Sequence, residues 1–86
     1  MDIPKTFGQV LRRRRKDAGL TQEQLGFEAE LERNFISMLE LGQRQPSLTT
    51  VFKLAASLGA KPSKLVEDVE DALSAKADAP ASSRRS

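Results

Sequence analysis

The chain has 86 residues, of which 38% are apolar and 30% are charged, and its formal net charge is +2. It contains neither cysteine nor histidine, which excludes disulfides and removes the commonest general base and metal ligand. We therefore expect one small globular domain that is not an enzyme and uses no cofactor or metal. Because no apolar run reaches the roughly 20 residues of a membrane span, we expect a cytoplasmic protein without a membrane partner.

Charge is distributed unevenly along the chain. Residues 12–16, RRRRK, form a basic run, whereas Glu67, Asp68, Glu70 and Asp71 cluster late. Five consecutive residues of a helix spread around its whole circumference, so only one or two of the basic run can face a given partner. The separation of the two charge clusters suggests two surfaces with different partners.

The first predicted helix follows a short arm. Residues 1–5, MDIPK, are expected to stay outside the helix because of Pro4. Thr6 and Gln9 have the spacing of a capping box, which predicts that helix 1 starts there and ends at Gly19. Arg14 falls within its apolar stripe, and it is either a snorkelling side chain or one with a specific function. The apolar stripe itself consists of Phe7, Val10, Leu11 and Ala18.

Residues 21–44 are predicted to form two short helices joined by a tight turn. Thr21 and Gln24 form a second capping box, which places helix 2 at about 22–28. Gly26 in its middle lowers helix propensity and indicates that another backbone, such as a crossing helix, approaches there. Helix 3 is predicted at about 32–40. Its inner residues are Phe35, Ile36 and Leu39, and its outer ones are Arg33, Asn34, Ser37, Met38 and Leu41.

Two further helices complete a domain over residues 6–75, and a tail follows. Ser47 can cap helix 4, and Gly59 can end it. Pro62 predicts the start of helix 5, which should run to about residue 74. Residues 76–86 are small and polar, so we expect a disordered C-terminal tail. Helix 4 is predicted to be mostly buried because apolar residues cover most of its circumference: Leu48, Val51, Phe52, Leu54, Ala55 and Leu58.

The predicted pair of helices at residues 21–44 is suited to DNA. Two helices joined by a three- or four-residue turn can set the second into the major groove while the first crosses the backbone. A reading helix needs Arg, Asn, Gln or Ser near its start, and Arg33, Asn34 and Ser37 meet that need. The start of helix 2, at Gln22, offers free amides to a phosphate oxygen.

A set of residues between positions 7 and 66 carries a family resemblance. It consists of Leu11, Arg15, the run 19–25, Ile36, Ser37, Leu39, Glu40, Gly42, Arg44, the run 46–48, Leu54, Ala55, Leu58, Gly59 and Leu65. In this order and spacing, these residues resemble the phage Cro and C1-type repressor helix-turn-helix domain, often called XRE-like. The resemblance implies an all-α, five-helix repressor-like bundle. One departure is Glu30, where the family usually has Gly; a left-handed Glu there would carry strain of about 1 kcal/mol.

The resemblance also implies roles for individual residues. It implies that Arg15 and Glu40 form an ion pair that ties helix 1 to the reading helix. Glu32 can read a base or instead cap helix 3 and complement its dipole. Met38 can touch a thymine methyl group or simply be an exposed apolar residue. The implied base-facing residues are Glu32, Arg33, Asn34, Ser37 and Met38, and the implied phosphate contacts are Gln22, Gln43 and Arg44.

Taken together, these features predict a sequence-specific DNA-binding transcriptional regulator, bacterial or phage-encoded and associated with the nucleoid. We expect it to bind double-stranded DNA as a homodimer on a pseudo-palindromic operator. The alternative is an antitoxin-like interaction module that neutralises a protein partner through helix 5 and the tail, and autoregulates through DNA binding. The predicted dimer interface is the stripe of helix 5, which could instead only close the core: Leu65, Val66, Val69 and Leu73.

Overall fold

A computed structural model describes residues 1–78, which form five α-helices and no strand. The predicted all-α fold class is therefore confirmed. Residues 76–78 of the predicted tail continue the last helix, and the remainder of that tail lies outside the described residues. No helix in the described part is both long and apolar enough to cross a membrane. The helices are α1 (Ile3–Asp17), α2 (Gln22–Ala29), α3 (Arg33–Glu40), α4 (Leu48–Leu58) and α5 (Pro62–Asp78).

The prediction that residues 1–5 form an arm outside the first helix is wrong, because α1 begins at Ile3. Asp2 is the N-cap, and its carboxylate accepts a hydrogen bond of 3.0 Å from the Lys5 amide. Pro4 lies in the first turn, where a missing amide costs no intrahelical hydrogen bond. Thr6, the predicted cap, is instead buried inside the helix and is 1% exposed. Two competing cap signals lie four residues apart, and the earlier one starts the helix.

The caps of α2 and α4 are formed as predicted. The Thr21 hydroxyl accepts from the Gln24 amide at 3.0 Å, and the Gln24 side-chain oxygen accepts from the Thr21 amide at 2.9 Å. Ser47 Oγ accepts from the Thr50 amide at 3.1 Å. Gly59 ends α4 in the left-handed conformation, with φ +69°. These local signals fix the start of α2 and both ends of α4.

The helices enclose one apolar core. α1 packs on α3 and α5, α2 packs on α3 and α4, and α4 packs on α5. Leu20, Leu31, Phe35, Leu58 and Leu73 are partly buried against this core. Every helix contributes to it, and α3 is held by α1 and α2. The buried apolar residues are Phe7, Val10, Leu11, Leu25, Ala29, Ile36, Leu39, Val51, Leu54, Ala55, Leu65 and Val69.

The prediction that helix 4 is mostly buried is wrong. Leu48 is 70% exposed and Phe52 is 55% exposed. The reason is that α4 packs on α2 and α5 along one side and leaves its other side to solvent. The apolar surface of α4 is therefore wider than the core that it helps to form.

Two glycines allow backbones to approach closely. A Cβ atom at Gly8 would lie 2.6 Å from the Glu40 carbonyl oxygen and would also clash with that of Leu39, so α1 crosses the end of α3 in direct backbone contact. A Cβ atom at Gly26 would lie 2.6 Å from the Leu31 carbonyl oxygen. The close approach predicted at Gly26 is thus present, but the backbone is the turn after α2 and not a crossing helix.

Arg14 does not extend to solvent as a snorkelling side chain would. Its Nε donates to Asp68 Oδ2 on α5 at 2.7 Å, and the two side chains are 28% and 13% exposed. The hydrogen bond to Asp68 raises the pKa of Arg14 above its ordinary value. This ion pair joins the first and last helices across 54 positions of sequence.

Candidate nucleic-acid interface

The turn between α2 and α3 occupies residues 30–32. Glu30 adopts the left-handed conformation with φ 60° and ψ 42°. The Leu31 amide donates to the Gly26 carbonyl at 2.8 Å, and the Glu30 amide donates to the Phe27 carbonyl at 3.3 Å. This is the Schellman pattern, which normally favours glycine at the left-handed position. Glu30 takes the conformation that glycine usually has at this position of the family, so it carries the strain of a left-handed Glu. The three-residue turn directs the start of α3 outward.

The outer face of α3 carries most of the predicted base-reading side chains. At 100° per residue, Arg33, Asn34, Ser37 and Met38 share an arc of about 140°. The first two are exposed and the other two are half-buried. On the opposite side, Ile36 and Leu39 are fully buried in the core. Packing therefore fixes which side of α3 faces outward, and that side is polar near the helix start.

Glu32 lies at the N-cap of α3 and is exposed. Its position fits the capping alternative, but its side chain makes no capping hydrogen bond. The carboxylate complements the positive end of the α3 dipole through its position alone.

The ion pair between Arg15 and Glu40 is present and nearly buried. Arg15 Nε lies 2.6 Å from Glu40 Oε2, and Nη2 lies 3.0 Å from Oε1. The two side chains are 10% and 4% exposed. The third guanidinium nitrogen, Nη1, donates to the Leu20 carbonyl at 2.9 Å. The hydrogen bond to Glu40 raises the pKa of Arg15, and the ion pair joins α3 to α1.

Gln22 joins the same network, a contact that the sequence did not indicate. Its Nε2 donates to Glu40 Oε1 at 3.0 Å. A side-chain amide nitrogen has two hydrogens, so one remains for a second acceptor. Gln22 begins α2 and is half-buried, which places the predicted phosphate contact directly beside the ion pair.

The other predicted phosphate contacts lie in the loop after α3. Gln43 and Arg44 are both exposed there. The loop starts at Gly42, whose φ is +77°. The chain thus leaves the end of α3 in a tight turn.

A surface depression lies between the end of α1 and the starts of α2 and α3. Its lining includes the cationic residues Arg15, Lys16 and Arg33, together with Gln22 and one carboxylate, Glu23. A predicted phosphate contact and a predicted base-reading residue therefore border the same concave surface. Because Glu40 neutralises the charge of Arg15, the lining has a small excess of positive charge, from Lys16 and Arg33 against Glu23, which suits a polyanion.

The predicted dimer stripe does not remain together on the surface. Leu65 is fully buried and Val69 is 8% exposed, so both belong to the core and are not available to a partner. Leu73 is partly buried against the same core. Val66 is 54% exposed. Because α5 packs on both α1 and α4, the centre of its apolar stripe is buried against them.

Comparison with known proteins agrees with this geometry. Residues 11–65 match the sequence model of the helix-turn-helix family. An uncharacterised HTH-type transcriptional regulator, y4dJ, from Sinorhizobium fredii is 34% identical over 83% of this chain and 92% of its own length. The control protein C.BamHI from Bacillus amyloliquefaciens is 39% identical over 77% of this chain and 83% of its own.

A solved structure is similar in both fold and sequence. The restriction-modification controller protein C.AhdI from Aeromonas hydrophila superposes with a TM-score of 0.69 and is 43% identical. The match covers 71% of this chain and 92% of the controller. The fold over most of this chain is therefore shared with a protein of related sequence.

Proposed function

The chain belongs to the XRE-type helix-turn-helix family of DNA-binding transcription regulators, and we propose that it reads a specific operator as a homodimer. In this proposal α3 enters the major groove and α2 crosses the sugar-phosphate backbone. Arg33, Asn34 and Ser37 contact base edges, with Glu32 and Met38 at the margin of the same surface. Gln22, Gln43 and Arg44 bind phosphates on either side of the groove.

One observation carries the assignment of α3 as the reading helix. Its inner side is locked by Ile36 and Leu39, and its end is clamped by the Arg15–Glu40 pair. Its exposed start therefore presents Arg33 and Asn34 in a fixed orientation. Arg and Asn are the side chains that make bidentate contacts to guanine and adenine in the major groove.

The comparisons support regulation without enzymatic activity. The relatives are named as transcriptional regulators and control proteins, and we propose that this chain likewise acts on DNA in the cytoplasm without chemistry of its own. They do not favour the antitoxin-like alternative. Part of the tail that this alternative would use lies outside the described residues.

A homodimer follows from the size of the reading surface. One α3 covers only a few base pairs, whereas a two-fold pair reads two half-sites about 34 Å apart. We propose that the dimer forms around the exposed part of α5 at Val66 and not through Leu65 or Val69, which the core uses.

The test compares binding to a selected operator and to random DNA. We expect Arg33→Ala and Asn34→Ala each to reduce discrimination between the two DNAs by about 1 to 3 kcal/mol. Arg44→Ala should weaken binding to both DNAs about equally, because phosphate contacts carry no sequence information. Dissociation constants measured by fluorescence anisotropy at a fixed salt concentration provide the comparison.

The operator is first obtained by selecting genomic fragments with the purified protein. A shared pseudo-palindrome among the retained fragments supports the proposal. If Arg33→Ala and Arg44→Ala affected both DNAs alike, the separation of base-reading and phosphate roles would be wrong. Retention without any common sequence would contradict sequence-specific regulation.

A further inference from the structure

The first turn of α1 lies against the loop that follows α3. A Cβ atom added at Gly42 would lie 2.9 Å from the Cα atom of Lys5 and 3.3 Å from its Cβ atom. The backbone of the loop therefore touches α1 at Lys5. The Lys5 side chain begins beside Gly42, which is followed directly by Gln43 and Arg44.

This contact continues the crossing of α1 over α3. Gly8, three residues after Lys5, meets the backbone at Leu39 and Glu40. Residues three apart lie on the same side of a helix, so the side of α1 that contacts the end of α3 reaches Lys5 and the loop. Because α1 starts at Ile3 and is capped by Asp2, Lys5 belongs to a fixed helix and not to a free arm.

Lys5 is exposed. Among residues 1–75, whose side chains the structure describes, its ammonium group takes part in none of the salt bridges, which involve Arg14, Arg15 and Lys64. A lysine ammonium on its flexible stem binds phosphate as a point charge. The charge is thus available beside the loop assigned above to phosphate.

We propose that Lys5 binds a DNA phosphate as part of one patch with Gln43 and Arg44. The inference rests on the proposed DNA-binding function and extends its contact surface to the first helix. Loop and helix contact each other directly, so the patch is positioned by the same α1–α3 crossing that orients the reading helix. Lys5 would contribute affinity and orientation but no sequence preference.

The experiment measures DNA affinity against salt concentration for the full chain and three variants. Lys5→Gln removes the charge and keeps a long polar side chain, and Lys5→Arg retains the charge. Lys53→Gln is the matched control, because Lys53 is an exposed lysine on α4, which packs on α2 and α5. Each variant is tested on the selected operator and on a random duplex, and its thermal unfolding is recorded.

The salt slope is the slope of the logarithm of the binding constant against the logarithm of the salt concentration. Loss of one phosphate contact lowers its magnitude by about 0.9 and weakens binding about fivefold at about 0.15 M salt. For Lys5→Gln we expect this loss of slope and of affinity for each protomer, on the operator and on the random duplex alike. Lys5→Arg should behave like the wild type. Lys53→Gln should leave the slope unchanged. An unchanged slope for Lys5→Gln overturns the proposal.

A structural role for Lys5 would be recognised separately. If Lys5 only stabilised the carbonyl end of α3, Lys5→Gln would lower the unfolding temperature and leave the salt slope unchanged, which also overturns the proposal. If the wild-type protein binds its operator specifically and Lys5→Gln has the same salt slope, the role of Lys5 is rejected and the proposed function is not. Wild-type protein that binds no DNA rejects both the proposed function and this inference.

Discussion

All three guanidinium nitrogens of Arg15 and both carboxylate oxygens of Glu40 have hydrogen-bond partners inside the protein. Arg15 donates to both Glu40 oxygens and to the Leu20 carbonyl, and Glu40 also accepts from Gln22. Removal of one partner therefore strands a charge that is almost inaccessible to water. Because the pKa of Arg15 is raised, the part of this stabilisation that depends on the charge of the guanidinium is complete at neutral pH and is lost when strong alkali deprotonates it.

We expect Glu40→Gln to lower the free energy of unfolding by about 3 kcal/mol, the cost of breaking a buried pair. Urea denaturation at neutral pH measures it. The control is Glu67→Gln, since Glu67 pairs with Lys64 at 3.1 Å on the surface, with side chains 56% and 49% exposed, respectively. That substitution should change the free energy by about 0.5 kcal/mol or less. Equal effects of the two substitutions would mean that the Arg15–Glu40 pair is no more protected from water than a surface pair.

At the scale of the elements, the turn after α2 contains a local conflict. Glu30 takes a left-handed conformation that costs an L-residue about 1 to 2 kcal/mol. Glu30 is nevertheless the residue at which α2 ends, and the turn that begins there directs α3 toward the surface. The hydrogen bonds of Leu31 and Glu30 to the last turn of α2 hold the conformation in place.

We expect Glu30→Gly to raise the free energy of unfolding by about 0.5 to 1 kcal/mol, because glycine adopts this φ without strain and loses part of the gain to its larger unfolded-state entropy. Glu28→Gly is the matched control within α2. It should lower the free energy by about 1 kcal/mol, since glycine is a poor helix former. Chemical denaturation of both variants should give opposite signs, and destabilisation by Glu30→Gly would show that the carboxylate makes an unrecognised stabilising interaction.

The elements that sequence reasoning predicted well are those with local signals. Thr21 with Gln24 and Ser47 with Thr50 lie within one turn of each other, so each cap is encoded in four residues. The start of α1 was missed because Asp2 also satisfies a cap rule. Tertiary contacts such as Gly8 against the end of α3 have no local signature.

For the candidate site, the resemblance was informative where residue periodicity was not. The pairing of Arg15 with Glu40 came from the family pattern and is present. By contrast, Arg14 with Asp68 joins helices that are far apart in sequence, and nothing in the local pattern links them. The division of the α5 stripe between core and surface also depends on packing. Sequence alone could not separate Leu65 from Val66.

For the whole molecule, the described surface retains large apolar side chains that the core does not use. These residues are Met1, Ile3, Phe27, Leu41, Leu48, Phe52 and Val66. Three of the seven, Leu48, Phe52 and Val66, lie on α4 and α5, which pack on each other. A two-fold interface uses the same patch on both copies, so one substitution alters it twice.

We expect Val66→Lys to shift the monomer–dimer equilibrium toward monomer by about tenfold or more, because two added charges meet close to the two-fold axis at a cost above about 1.4 kcal/mol. Sedimentation equilibrium measures the shift. Phe27→Lys is the control, as it replaces a more exposed apolar residue on a different helix. It should leave the dimer intact.

Both variants should keep the helical circular dichroism of the wild type, since neither side chain belongs to the core. In the Val66→Lys variant, operator affinity should fall with the dimer while each α3 still reads its half-site. Dissociation by Phe27→Lys, with Val66→Lys still dimeric, would place the interface on α2 and overturn the assignment to α5.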